Sequence, residues 1–252
     1  MATYDGRVAL VTGASSGIGR ATALAFAERG ASVVLADVNA EEGEETARRV
    51  VAAGGHALFV EADVSKATDV AALLEATERG YGRLDFAFNN AGIEGVLATT
   101  IDTSEDNWDR VLDVNLKSAW LCMKHELPIM LERRRGAIVN CSSIAGLVGF
   151  ANSPAYVASK HGMIGLTKTT ALEVAANGVR VNAVCPGVIR TAMVNRAVAQ
   201  RPELEEGLLA STPMGRLGAP DEIARAVLWL CSDEASFVTG AALPVDGGWV
   251  AT

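Results

Sequence analysis

The chain has 252 residues, half of them apolar, with 22 Lys and Arg against 30 Asp and Glu, a net charge of −8. That length suits one large α/β domain, and the acidic balance excludes a nucleic-acid role, because phosphate binding needs a basic footprint. No basic-then-apolar leader precedes Arg7 and no apolar run approaches membrane length, so a soluble, cytoplasmic protein without a membrane partner is expected.

Residues 7–12 form a short apolar run, followed by a glycine loop and then by Arg20 to Arg29 at helical spacing. The strand–loop–helix cycle repeats with Ser32–Ala36 and Glu41–Ala53, His56–Glu61 and Ala67–Arg79, and Leu84–Phe88 followed by one long helix within about Ser104–Leu131. It continues with Ala137–Cys141 and Ala155–Ala176, Val179–Cys185, a helix around Pro220–Ser232 and a last strand near Ala241–Val245. Alternation of this kind implies a Rossmann-like, doubly wound α/β fold: a parallel seven-stranded sheet with helices on both faces, in a single domain over 1–252. Between the last helices, Ala192–Arg216 reads as two short amphipathic helices with Pro202 between them, and is expected to be a substrate lid at 192–216. Its apolar residues Met193, Val194, Val198, Leu204, Leu208 and Leu209 would face inward.

The loop Gly13-Ala14-Ser15-Ser16-Gly17-Ile18-Gly19 has the spacing G-x-x-x-G-x-G, and it joins one strand to one helix. Glycines let backbone approach a pyrophosphate, and the helix beginning near Gly17 would aim its free amides at the charge. The second strand runs into Asp37, about twenty residues on, where an acid bonds the ribose hydroxyls of a bound dinucleotide. A merely capping aspartate is the alternative. Tyr156 and Lys160 stand four apart in a helical stretch and so share a face. An isolated phenol titrates near pH ~10, and a cation within about 4–6 Å favours the phenolate, so Lys160 is expected to acidify Tyr156. Ser143, at the end of an apolar run, is placed to offer its hydroxyl to a substrate oxygen beside that phenol. Taken alone, a Tyr-x-x-x-Lys pair reads first as a surface lysine lying along a tyrosine ring.

The remaining candidates are plainer. Cys122, Cys141, Cys185 and Cys231 form no C-x-x-C pair and have no nearby histidines, so they read as reduced core residues and no metal site is expected. Arg133-Arg134-Arg135 reads as a solvated helix end, and His161 points away from the Tyr156 face.

Together, Val11-Thr12-Gly13 through Gly19, Asn89-Asn90-Ala91-Gly92, Asn115, Ser143, Tyr156, Lys160 and Pro186-Gly187, in this order, resemble the short-chain dehydrogenase/reductase family, from residue 7 to the C-terminus. The resemblance implies hydride transfer between a nicotinamide cofactor and a secondary alcohol or ketone, with Asn115, Ser143, Tyr156 and Lys160 catalytic and Ser143 and Tyr156 meeting the substrate. It implies cofactor contacts from Gly13, Ser15, Ser16, Gly17, Ile18, Gly19, Asp37, Asn90, Ala91, Gly92, Tyr156, Lys160, Pro186, Gly187, Ile189 and Thr191. It also gives Asp63 and Val64 an adenine contact, although an aspartate capping the helix from Ala67 is the alternative. By the same resemblance Asn115 opens its helix locally and links Lys160 to solvent, and the protein is a homotetramer. Relatives that prefer the phosphorylated cofactor carry a basic residue where this chain has Val38 or Ser16, so NAD is the expected cofactor. Ile93, Ile144, Leu147, Val148 and Phe150 suggest an apolar alcohol or ketone substrate, with Glu94 the exception. Two other readings stay open: an NADPH-dependent 3-oxoacyl-[acyl-carrier-protein] reductase, and a non-catalytic NAD-binding sensor.

Overall fold

A computed structural model describes residues 3–200 and 203–251. Pro202, expected between two lid helices, falls outside them, as do the side chains of Met193 and Leu204. Seven parallel strands lie in the order β3-β2-β1-β4-β5-β6-β7. They are β1 (Val8–Thr12), β2 (Ser32–Asp37), β3 (His56–Glu61), β4 (Phe86–Asn89), β5 (Gly136–Cys141), β6 (Val179–Pro186) and β7 (Ala242–Val245). Successive residues of a strand face opposite sides, and β1 shows it: Ala9 and Val11 enter one core, Val8 and Leu10 the other.

The first core is roofed by α1 (Gly17–Glu28) and α9 (Pro220–Cys231), through Ala23, Phe26, Ile223 and Val227. The second is roofed by α3 (Ala67–Tyr81), α5 (Ser118–Glu132) and α6 (Pro154–Val174), through Leu73, Leu121, Met130 and Val174. Covering on both faces explains why β1, β4 and β5 are buried at every residue and read as unbroken apolar runs.

Helix starts follow local chemistry. The Asn39 side chain accepts from the Glu42 amide to cap α2 (Ala40–Ala52), Ser104 does the same for Asn107 at α4 (Glu105–Leu112), and Pro154 and Pro220 open α6 and α9. The long helix expected within about 104–131 is a continuous helical run, α4 and α5, opened at Asn115 by a π-helical turn at Asp113–Lys117. An asparagine at its centre and a wider i→i+5 turn belong together, since π turns open a helix where a side chain must be re-aimed.

The strand order reverses between β1 and β4, the place where such sheets leave a crevice at their carboxyl ends. The Thr12 hydroxyl accepts from the Asn90 and Ala91 amides at 3.0 and 3.1 Å, and Asn90 Nδ2 donates back to the Thr12 carbonyl at 3.0 Å. Those bonds fix the crevice floor.

Candidate functional site

The glycine loop leaves β1 with Gly13 at φ 65° and Gly17 at φ 53°, a left-handed backbone that L side chains rarely adopt. A Cβ at Gly19 would collide with the Gly13 carbonyl, and one at Gly13 would lie 2.8 Å from Asn90 Nδ2. No side chain caps the first turn of α1, so its leading amides stay available. Bare backbone and free amides at a helix start fit a pyrophosphate.

Asp37 ends β2 beside this loop, its Oδ2 accepting from the Ser15 amide and its Oδ1 from the Asn39 amide, each at 3.0 Å. Asn39, not Asp37, caps α2. Val38 is exposed, at 64 %. The nearest cation along the loop, Arg20, is tied to the Ser15 carbonyl, Thr46 and Glu42, with Glu42 Oε2 at 2.6 Å.

Asp63 does not cap α3. Its Oδ1 accepts from the Ser65 amide and hydroxyl at 3.1 and 2.6 Å, and the Ser65 hydroxyl is the leading cause of its lowered pKa. Val64 beside it is buried.

Tyr156 lies in the first turn of α6, and Lys160 one turn on is buried. The Lys160 ammonium sits 5.6 Å from the centre of the Tyr156 ring and donates to the Cys141 carbonyl at 2.8 Å. That position overturns one expectation. The cation faces the ring and the end of β5, so burial governs the phenol and pushes it up to about 12, with Cys141 and Glu94 adding to the rise. The one group that lowers it is the hydrogen-bonded Ser143 hydroxyl, which reaches across from the turn after β5. Burial likewise lowers the pKa of Lys160. Glu94 is exposed, yet its charge reaches the phenol.

Asn115 is fully buried in the π turn. Its Oδ1 accepts from the Ile93 amide at 2.7 Å, and its Nδ2 donates to the Ile93 carbonyl at 2.8 Å and to Ser159 Oγ at 3.2 Å. Ser159 Oγ in turn donates to the Tyr156 carbonyl at 2.7 Å, so one chain of bonds joins the Asn90–Ile93 segment, the π turn and α6. A Cβ at Gly92 would stand 3.2 Å from Asn115 Oδ1 and 3.5 Å from Lys160 Nζ. Only glycine leaves that space open.

From the other side, Pro186 ends β6 and Gly187 leads to Ile189, which bridges to Gly218. The Thr191 hydroxyl accepts from the Val194 amide at the start of α7 (Ala192–Gln200), and the Thr191 methyl faces Gly17. The loops after β1 and β6 therefore close on one another. Beyond α7 lies α8 (Glu203–Ala210). Ile144 is buried and Val148 exposed, while Phe150 packs on Trp249 with ring centres 6.1 Å apart.

Three residues that build the site carry no site role in the sequence: Thr12, whose hydroxyl pairs β1 with the Asn90 turn; Ser142, whose Oγ donates to the Lys160 carbonyl at 2.9 Å; and Cys141, expected only in the core, acting through its carbonyl. Backbone and short hydroxyl contacts leave no spacing signal. His161 is exposed with its ring against the Val157 carbonyl, as expected of a bystander. Among the described residues no group of three or more His, Cys, Asp or Glu could hold a metal, and no helix is long and apolar enough to cross a membrane.

Comparison with known proteins agrees with this geometry. A family model described as enoyl-(acyl carrier protein) reductase matches residues 13–250. The chain is 45 % identical over 247 residues to cyclohexanol dehydrogenase of Acinetobacter sp. (strain SE19), covering 98 % of this chain and 96 % of that one. It is 42 % identical over 252 residues to 2,5-dichloro-2,5-cyclohexadiene-1,4-diol dehydrogenase of Sphingobium indicum (strain DSM 16412), covering all of both. The crystal structure of NAD+-bound xylitol dehydrogenase superposes with a TM-score of 0.94 at 36 % identity, over 97 % of this chain and 99 % of that one. The match over nearly the whole chain shows that it belongs to the short-chain dehydrogenase/reductase family.

Proposed function

We propose that this enzyme, an oxidoreductase of CH–OH groups, interconverts an apolar alicyclic secondary alcohol and its ketone with NAD(H). The observation that carries the reading is the meeting of the Tyr156 phenol and the Ser143 hydroxyl at the carboxyl end of the sheet, with Lys160 buried behind them. When bound, the nicotinamide supplies the hydride acceptor for oxidation and the hydride donor for reduction.

The chain's own residues handle the proton. Tyr156 Oη takes the carbinol proton in oxidation and returns it in reduction. Ser143 Oγ holds the substrate oxygen in line with the phenol and steadies its developing charge. Lys160 binds the nicotinamide ribose from a site that the Cys141 carbonyl already orients. Asn115 has its amide committed to Ile93 and Ser159, so it serves the proton path through its place in the π turn. Gly13, Ser15, Ser16, Gly17, Ile18 and Gly19 cradle the pyrophosphate. Asp63 and Val64 meet the adenine, Asn90, Ala91 and Gly92 pass the adenosine ribose, and Pro186, Gly187, Ile189 and Thr191 receive the nicotinamide end.

Asp37 and the exposed Val38 support NAD over NADP: a carboxylate repels a 2′-phosphate, and Arg20, beside the loop, is already paired with Glu42. The names of the two alicyclic relatives support a ring alcohol. The 192–216 segment is proposed as the lid, and the assembly as a cytoplasmic homotetramer. The acyl-carrier reading has two observations behind it, the description of the matching family model and a 40 % identical relative named 3-oxoacyl-[acyl-carrier-protein] reductase from Thermotoga maritima. Against it, the Arg133–Arg135 patch is partly consumed, Arg135 lying 2.8 Å from Asp233.

A panel of secondary alcohols and ketones with NAD(H) and NADP(H), followed by nicotinamide absorbance, tests the proposal. Cyclohexanol-type substrates with NAD+ are expected to lead. Higher efficiency with the phosphorylated cofactor, or with an acyl-carrier thioester, would overturn it.

A further inference from the structure

Glu126 lies on α5 with no exposure at all, against the carboxyl ends of β4 and β5. Its Oε2 accepts from Asn89 Nδ2 at 3.2 Å, while its Oε1 is buried without a partner. Asn89 mirrors it: Nδ2 donates to Glu126 and, at 3.1 Å, to Asn140 Oδ1, while Asn89 Oδ1 is buried without a partner. A carboxylate oxygen and an amide oxygen are both acceptors and cannot satisfy one another. Two orphaned acceptors, one on each member of a pair already joined by a hydrogen bond, are what a missing proton leaves behind.

We infer that Glu126 is held as the neutral acid, its Oε1 proton donated to Asn89 Oδ1, so that carboxyl and carboxamide close a two-bond ring that fixes the strand ends carrying Asn90 and the Cys141 carbonyl. Burial supports this by pushing the Glu126 carboxyl up to about 8, with the Asn89 amide working against the rise. The surroundings add no charge. Asn140 Nδ2 donates to Thr167 Oγ1 at 2.9 Å, and Thr167 Oγ1 to the Met163 carbonyl at 2.8 Å, so β4, β5 and α6 face Glu126 with neutral groups. The buried residues of α3, packed on α5, are Val70, Leu73, Leu74 and Thr77. The titratable neighbour is Cys122, one turn back, whose thiol is itself held protonated by burial.

The ring sits one residue behind two parts of the site. Asn90 follows Asn89 and ties the crevice floor to Thr12, and Cys141 follows Asn140 and orients Lys160. Glu126 touches neither substrate nor reacting atoms. It is a positioning residue, and this half of the inference rests on the proposed roles of Asn90 and Lys160.

Infrared difference spectra of wild type against E126Q at neutral pH test the protonation. The carbonyl stretch of a protonated carboxylic acid is expected in wild type, absent in E126Q, and lost only in the alkaline range; a carboxylate at neutral pH would overturn the inference. The positioning is tested with NAD+ and cyclohexanol as probes. E126L, which leaves the Asn89 amide half-bonded, is expected to weaken NAD+ binding and kcat/KM about tenfold or more, and E126Q, which supplies one N–H and one C=O to the same ring, to restore both. Equal loss in the two variants, or none in E126L, would overturn it. If E126L does not fold, the pH dependence of stability decides. Glu126 titrates near 4.5 unfolded and about 8 folded, so the folded state holds the extra proton and wild type loses stability relative to E126Q as pH rises between those values. Parallel curves would contradict the inference. Failure of wild type to oxidise any alcohol would strike the functional reading and leave the infrared result standing.

Discussion

At the scale of single residues, Tyr156 illustrates what a sequence pattern carries and what it omits. The four-residue spacing places Lys160 on the correct face, but only the fold shows the ammonium drawn toward the Cys141 carbonyl and the half-buried phenol with its pKa raised by desolvation to about 12. A base with so high a pKa gains its active form as pH rises, so kcat/KM for alcohol oxidation is expected to climb toward alkaline pH and ketone reduction to decline. A flat profile would contradict this. Glu94 contributes to the rise through its charge, and Glu94→Gln is therefore expected to move the oxidation profile toward lower pH; an unmoved or alkaline-shifted profile would remove Glu94 from the site's field. Lys160→Ala is expected to lower both NAD+ affinity, read by fluorescence titration, and turnover, because its ammonium is the group proposed to bind the nicotinamide ribose. Glu126 was not legible at all. In a helical stretch a glutamate ordinarily faces water, and only its packing against Asn89 reveals a buried acid.

At the scale of elements, the strand and helix order was legible because parallel strands covered on both faces are short apolar runs, and each is followed by a helix at a different period. The opening of the helix around Asn115 was expected from the family resemblance and not from periodicity, since a π turn shifts the phase of the apolar face by only one residue. Ion pairing between strand ends was equally hidden. Asp85, nearly fully buried, accepts from the Val8 amide at 2.9 Å and pairs with Arg7 and Arg83 at 3.0 and 2.6 Å, joining the starts of β1 and β4. Desolvation alone would raise its pKa, but Arg83, the Val8 amide and Arg7 outweigh it and hold the carboxyl below its usual range. Removing one member of a buried ion group costs about 3–5 kcal/mol. Asp85→Ala is expected to lose that order of stability in denaturant unfolding while its residual folded fraction keeps NAD+ affinity; a change under about 1 kcal/mol, the scale of surface pairs, would contradict a structural role.

At the scale of the whole molecule, the sheet order places every cofactor and catalytic candidate at the carboxyl ends of the strands, and the reversal between β1 and β4 puts the glycine loop beside the Asn90 turn. The fold could be read from the alternation of strand and helix, and the motif residues of the candidate site from glycine spacing and the Tyr–Lys interval, which reflect backbone geometry; Thr12, Ser142 and the Cys141 carbonyl could not. Substrate choice could not, because it depends on where Glu94, Val148, Phe150 and Trp249 point. The ring of Trp249, for one, meets Phe150 of the same chain, a contact no sequence pattern signals. Exposed Trp108, Trp120, Leu172 and Phe237 still offer apolar surface for assembly. Light scattering is expected to give four times the 26.2 kDa chain mass, and a monomeric mass would contradict the proposed tetramer. The most direct measurement of all is NAD+ reduction by cyclohexanol with wild type and Tyr156→Phe side by side, with NAD+ binding recorded for both. Turnover is expected to fall about 10²–10⁴-fold in the variant with NAD+ binding retained; a variant that turns over like wild type would contradict proton transfer through Tyr156.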